Sequence, residues 1–161
     1  MPAWFTAIAG DRLAGITFTD SAGVYKSTDS GLTWTQILST SASCRAIRLH
    51  PDNRNVLFAV DLVDGLLVST DGGNSWTSHN RGLGTAVPTS IAVGGDKIYV
   101  GTQGCGVYSG DIDMSTGSIT WQPGRSNKPV PQVYSLQIKF DPTDSNRIFV
   151  SSYPGGLYRS D

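Results

Sequence analysis

Ser27-Thr28-Asp29-Ser30-Gly31-Leu32-Thr33-Trp34 recurs 42 residues later as Ser69-Thr70-Asp71-Gly72-Gly73-Asn74-Ser75-Trp76, one S-x-D-x-G-x-x-W octet written twice. Upstream of each octet stands a glycine. The same glycine opens Gly23-Val24-Tyr25-Lys26, Gly65-Leu66-Leu67-Val68, Gly106-Val107-Tyr108-Ser109 and Gly156-Leu157-Tyr158-Arg159, at spacings of 42, 41 and 50 residues. A period of about 40 to 50 residues is that of a β-propeller blade. A second motif repeats in phase with the first. Leu49-His50-Pro51-Asp52-Asn53-Arg54-Asn55-Val56-Leu57-Phe58 matches Phe140-Asp141-Pro142-Thr143-Asp144-Ser145-Asn146-Arg147-Ile148-Phe149 in kind.

Apolar residues alternate over short runs broken by turn residues: Ile47 and Leu49, then Val56, Phe58 and Val60, then Leu66 and Val68. This period of two marks half-buried strands. Each unit therefore reads as four strands, at 7–9, 13–19, 24–28 and 33–38 in the first and 90–93, 97–101, 106–109 and 119–122 in the third. The predicted fold is all-β, a propeller of four-stranded antiparallel blades, about four per chain, the last lacking its outer strand. Residues 1–161 form one domain on this reading, with blades at 4–38, 44–80, 88–123 and 132–161.

The octets resemble the Asp-box, or BNR, repeat found in sialidases, xyloglucan-hydrolysing propeller enzymes, sortilin-type receptors and a photosystem II assembly factor. The resemblance covers most of the chain. It implies a fold strongly and a function weakly, because one fold hosts many chemistries. Ser27, Asp29, Gly31, Trp34, Ser69, Asp71, Gly73, Trp76 and Trp121 are assigned structural roles. An Asp side chain can accept backbone N–H groups two or three residues ahead and hold a tight hairpin, and each Trp can cover a joint between blades if its N–H finds a partner. The third copy departs from the pattern, with Asp111 and Asp113 standing before Ser115-Thr116-Gly117-Ser118-Ile119-Thr120-Trp121, so its turn is expected to be remodelled.

Composition agrees. All 13 acidic residues are Asp, 19 residues are Gly, and 39% are hydrophobic, a mixture poor in helix formers. A net charge of -1 gives no footprint for nucleic acid or an anionic membrane. No apolar stretch approaches the ~20 residues of a spanning helix, and the first residues lack the pattern of a secretion signal. The sequence calls for no cofactor and no metal, and it leaves the cell compartment unknown. Cys44 and Cys105 read as free thiols, with a bridge as the alternative if their Cα atoms lie within about 7 Å.

Propeller ligands usually meet the face built from the loops joining the second to the third strand of a blade and the fourth to the next first, and the resemblance implies the same here. Candidate binding residues on those loops are Asp20, Asp61, Asp64, Arg81, Gln103, Arg125 and Tyr153, with Trp4 beside them. The weak catalytic candidates are Asp20, Asp61 and Asp64, since glycoside hydrolysis needs two carboxylates about 5 Å or 6.5–9.5 Å apart. A sialidase reading fails for want of any Glu. His50 and His79 lie in no triad and are expected at the surface. The preferred reading is a non-catalytic module that binds a glycan or peptide, or scaffolds, and closes its ring as a head-to-tail homodimer of eight blades. A glycoside hydrolase or a fragment of one is the alternative, as are a four-bladed ring and a fragment of a longer propeller.

Overall fold

The computed structural model describes residues 4–9, 12–17, 23–41, 44–84, 86–122, 134–141 and 143–160. Fifteen strands cover most of them, and no helix occurs among these residues. β1 (Trp4–Ala9), β2 (Arg12–Thr17), β3 (Gly23–Ser27) and β4 (Thr35–Ser39) make the first blade, and β5 (Cys44–Leu49), β6 (Leu57–Asp61), β7 (Gly65–Ser69) and β8 (Thr77–Ser78) the second. β9 (Val87–Gly94), β10 (Lys97–Gln103), β11 (Val107–Ile112) and β12 (Ile119–Gln122) make the third. β13 (Tyr134–Asp141), β14 (Asp144–Tyr153) and β15 (Gly156–Ser160) make a three-stranded fourth, joined to the third by the single pair Gln103↔Tyr134. All pairings are antiparallel. The chain divides into two compact units, Met1–His79 and Asn80–Asp161, each holding two blades.

The repeat seen in the sequence is a repeat in register. Leu13↔Ser27, Leu57↔Ser69, Ile98↔Gly110 and Ile148↔Ser160 are equivalent pairs between second and third strands. At the other end of the same ladders stand Ile16↔Val24, Val60↔Leu66, Gly101↔Val107 and Ser151↔Leu157. Gly65, Gly106 and Gly156 have φ of 77°, 78° and 96°, a conformation nearly closed to other residues, which is why the tight turn into the third strand repeats glycine.

Burial departs from simple alternation in β6, where all five residues are buried. One face of that strand belongs to the blade's neighbour. Val24 of the first blade packs with Cys44, Ile47, Leu57 and Ala59 of the second, flanked by Ile37, Leu38 and Trp76. A middle strand covered on both faces reads as a continuous apolar run. In the second unit Ala92, Ile138 and Ile148 form the equivalent cluster with Val107 and Phe140 against it, and Tyr99 meets Phe140 edge to face at 5.4 Å.

The two octets fold alike. Ser27 Oγ donates to Asp29 Oδ1 at 2.7 Å and accepts Gly31 N–H at 2.8 Å, while Ser69 Oγ donates to Asp71 Oδ1 at 2.8 Å and accepts Gly73 N–H at 2.9 Å. Each carboxylate then reaches four residues ahead, not two or three. Asp29 takes the N–H and hydroxyl of Thr33 at 2.9 and 2.6 Å, and Asp71 those of Ser75 at the same distances. These bonds, the hydroxyl first, hold the Asp29 carboxyl down at about 2 and lower that of Asp71 as well.

In the third blade Gly110 stands where the octets have Ser, because Ile119 and Trp121 crowd that position. Asp111 instead pairs with Lys97 and accepts Gln122 Nε2, and Asp113 caps a longer turn through the N–H and hydroxyl of Ser115. The other repeated motif is also a cap. His50 Nδ1 accepts the N–H groups of Asp52 and Asn53, and Asp141 Oδ1 accepts the N–H and hydroxyl of Thr143. His50 is thus 3% exposed and not the solvated turn residue expected. His79, also expected at the surface, follows β8 partly buried, and burial lowers its imidazole pKa.

Candidate functional site

The loops between second and third strands are shorter than their polarity suggests. Asp61 is the last residue of β6, Thr102 and Gln103 end β10, and Ser152 and Tyr153 end β14. Polar side chains at these places looked like loop, yet their backbones stay in the ladder: Cys44↔Asp61, Pro88↔Thr102 and Ser135↔Ser152. Immediately beyond each pair the first strand carries an irregularity, at Cys44/Ala46, opposite Gly101/Thr102 and at Ser135/Gln137. A bulge bends its strand and frees one position. Asp61, Thr102 and Ser152 therefore occupy one structural position in three blades, with exposures of 0%, 0% and 9%. Only Asp61 of these three was a candidate from sequence; the shared signal is the polar residue four or five places before the turn glycine.

Each position is satisfied differently. Thr102 Oγ1 donates to the Gly106 carbonyl at 2.7 Å. Asp61 Oδ1 accepts the N–H groups of Val63 and Asp64 at 2.8 and 3.0 Å, capping the turn, whereas Asp61 Oδ2 and Ser152 Oγ are buried without a hydrogen-bond partner. Cys44, facing Asp61 across the ladder, has its thiol pushed up to about 12 by burial and then by that carboxylate.

Asp64 is engaged too. Its Oδ2 accepts Ser41 N–H at 2.8 Å and its Oδ1 the Ser41 hydroxyl at 2.9 Å, tying the turn of the second blade to the connection between the first two. Neither carboxylate is presented as half of an open acid–base pair. Asp20 and Arg125 lie outside the described residues. Arg81 is exposed in the turn after β8, and Trp4 opens β1 rather than a loop.

In the second unit two candidates come together. Gln103↔Tyr134 and Tyr134↔Tyr153 place Gln103 and Tyr153 in one row across β10, β13 and β14. Two strand spacings separate their backbones, about 10 Å. Both are exposed, Tyr153 at 69%. An amide and a phenol ring at that spacing suit a ligand with hydrogen-bonding groups and an apolar face, as a sugar ring or a peptide has. Cys44 and Cys105 are both free, the first buried and the second exposed. Among the described residues no three His, Cys or Asp are placed to hold a metal ion, and no helix is long and apolar enough to cross a membrane.

Solved structures share this arrangement. An ancestral GH74 enzyme superposes with a TM-score of 0.70 at 24% identity, covering 97% of this chain and 22% of that one. The GH74 xyloglucanase from Xanthomonas campestris gives 0.66 at 16% identity over 94% of this chain and 27% of its own. YCF48 from Cyanidioschyzon merolae gives 0.68 at 17% identity over 98% and 55%, and YCF48 bound to D1 peptide is also similar, at 0.61. The chain thus spans between about a fifth and just over half of these proteins. No family model and no curated protein matches it. The all-β chain built of four-stranded antiparallel blades has the β-propeller fold.

Proposed function

We propose that this chain is a non-catalytic Asp-box propeller module that binds a glycan or peptide, or scaffolds, and completes its ring by self-association. The row formed by Gln103 and Tyr153 carries the reading, because it is the place where two candidate binding residues stand exposed on one rim of rigid strands. The turn-bound state of Asp61 and Asp64 supports a role without catalysis. Neighbours of both kinds, GH74 enzymes and a propeller bound to a peptide, are compatible with such a surface.

A ligand panel of oligosaccharides and peptides, read by thermal shift, tests the reading. A ligand that raises the melting temperature of the wild type, and does so less for Tyr153→Ala and Gln103→Ala, supports it. Ligand binding untouched by either substitution counts against this rim.

One observation favours glycoside hydrolysis as the second reading: Asp61 Oδ2 is left without a partner in a chain that resembles GH74 enzymes. A carboxylate at 0% exposure reaches no substrate as it stands, so this reading ranks second.

A further inference from the structure

The joint between blades has a repeated chemistry. In the first unit the third strand of one blade offers Val24 to the first strand of the next, at Ile47, and Lys26 Nζ reaches across to the Gly72 carbonyl at 2.7 Å in the next blade's octet. In the second unit Val107 packs the same way on Ile138. Ile47 and Ile138 are equivalent, each two residues before the Leu49 and Phe140 of the repeated motif. Val24 and Leu66 are 0% exposed.

The fourth blade carries the same face uncovered. Leu157 is the register equivalent of Val24, Leu66 and Val107, yet it is 72% exposed, with Tyr158 beside it at 45%. Arg159 stands in the place of Lys26, a cation where the joint uses one. All of β15 is exposed.

The first blade carries the opposite half. Its octet holds Leu32 at 84% exposure, where the second octet has Asn74. Trp76 Nε1 crosses to the Ile37 carbonyl on the outer strand of the preceding blade, whereas Trp34 Nε1 turns back to its own Gly31 carbonyl at 3.1 Å. A blade that docks through this octet asks no carbonyl of an outer strand, and the fourth blade has none to give.

We propose that β15 of one copy, through Leu157, Tyr158 and Arg159, docks against β1 and the first octet of a second copy, with Arg159 donating to the Ser30 carbonyl as Lys26 does to Gly72. The occupant is a second copy because the chain itself carries both halves of the joint, and two such contacts close a two-fold dimer. This names the surface for the self-association in the reading above and does not depend on the ligand.

Solution mass by light scattering tests it with two exposed-site variants, Leu157→Asp and Leu32→Lys, whose folding is checked by circular dichroism. The wild type is expected at twice the chain mass and each variant at the chain mass. Mixing the two variants restores the dimer, since the mixed pair keeps one wild-type joint and opposes an acid to a base in the other. A monomeric wild type overturns the proposal, as does a dimer that survives Leu157→Asp or variants that fail to rescue each other. The rim is scored separately, because Tyr153→Ala alters ligand shifts and leaves the mass alone.

Discussion

Trp76 Nε1 donates to the Ile37 carbonyl at 2.9 Å, so the ring that ends the second octet is hydrogen-bonded to the outer strand of the first blade. The octet does two jobs at once: its Ser and Asp build a hairpin, and its Trp and glycines dock that hairpin on the blade before.

Trp76→Phe keeps the ring and removes the donor, leaving the Ile37 carbonyl to find another. Stability should fall by about 1 kcal/mol. Trp34→Phe, which loses only a bond within its own turn, should cost less. Urea unfolding of the two variants side by side checks the order.

Asp29 gives a pH dependence of definite sign. Its folded pKa of about 2 lies below the unfolded value, chiefly through the Thr33 hydroxyl, then the Thr33 N–H and the Ser27 hydroxyl. The folded state therefore binds fewer protons, and the stabilisation is complete above about pH 4 and lost as pH falls through about 2. Asp71 acts in the same direction. Asp29→Asn should flatten the acid limb of a melting-temperature profile between about pH 4 and 2.

Ser30 has φ of 58° where the second octet places Gly72 at 73°. Ser30→Gly should be neutral or stabilise by up to about 1 kcal/mol, relief of left-handed strain outweighing chain entropy. Gly73→Ala should do the reverse, by about 1–3 kcal/mol, since φ is 97° and a Cβ there would lie 2.5 Å from Ile37 Cδ1. Thermal melts of the two variants test both signs.

Cys44 should resist thiol reagents at neutral pH. It is buried and its thiol is pushed up to about 12, whereas Cys105 is exposed. Native protein should titrate one thiol and urea-unfolded protein two.

Asp61→Ala removes the acceptor of two turn N–H groups and should cost about 1–3 kcal/mol. Asp61→Asn keeps an acceptor at Oδ1 and should cost less. Chemical denaturation distinguishes them.

Much of the fold was legible because its turns demand particular residues. Glycine at positive φ and the S-x-D-x-G octet mark every hairpin they build, so the blade period could be read directly. Burial was harder. Leu57 and Ala59 were expected on an outer face and are covered by the first blade, a contact that no local pattern records. Asp61, Thr102 and Ser152 read as loop because they are polar, although the ladder continues through them and their side chains are buried. His50 was misplaced for the same reason, its ring being a turn cap under cover. The row from Gln103 to Tyr153 depends on β13 pairing with both β10 and β14, a relationship between residues 50 apart in sequence.

The account rests on a propeller that binds without turning over its ligand. The most direct test incubates the protein with xyloglucan and a panel of other polysaccharides, following melting temperature and released reducing ends together. The account predicts a shift in melting temperature with a member of the panel and no release. Reducing ends that accumulate with the wild type and vanish with Asp61→Asn would contradict it.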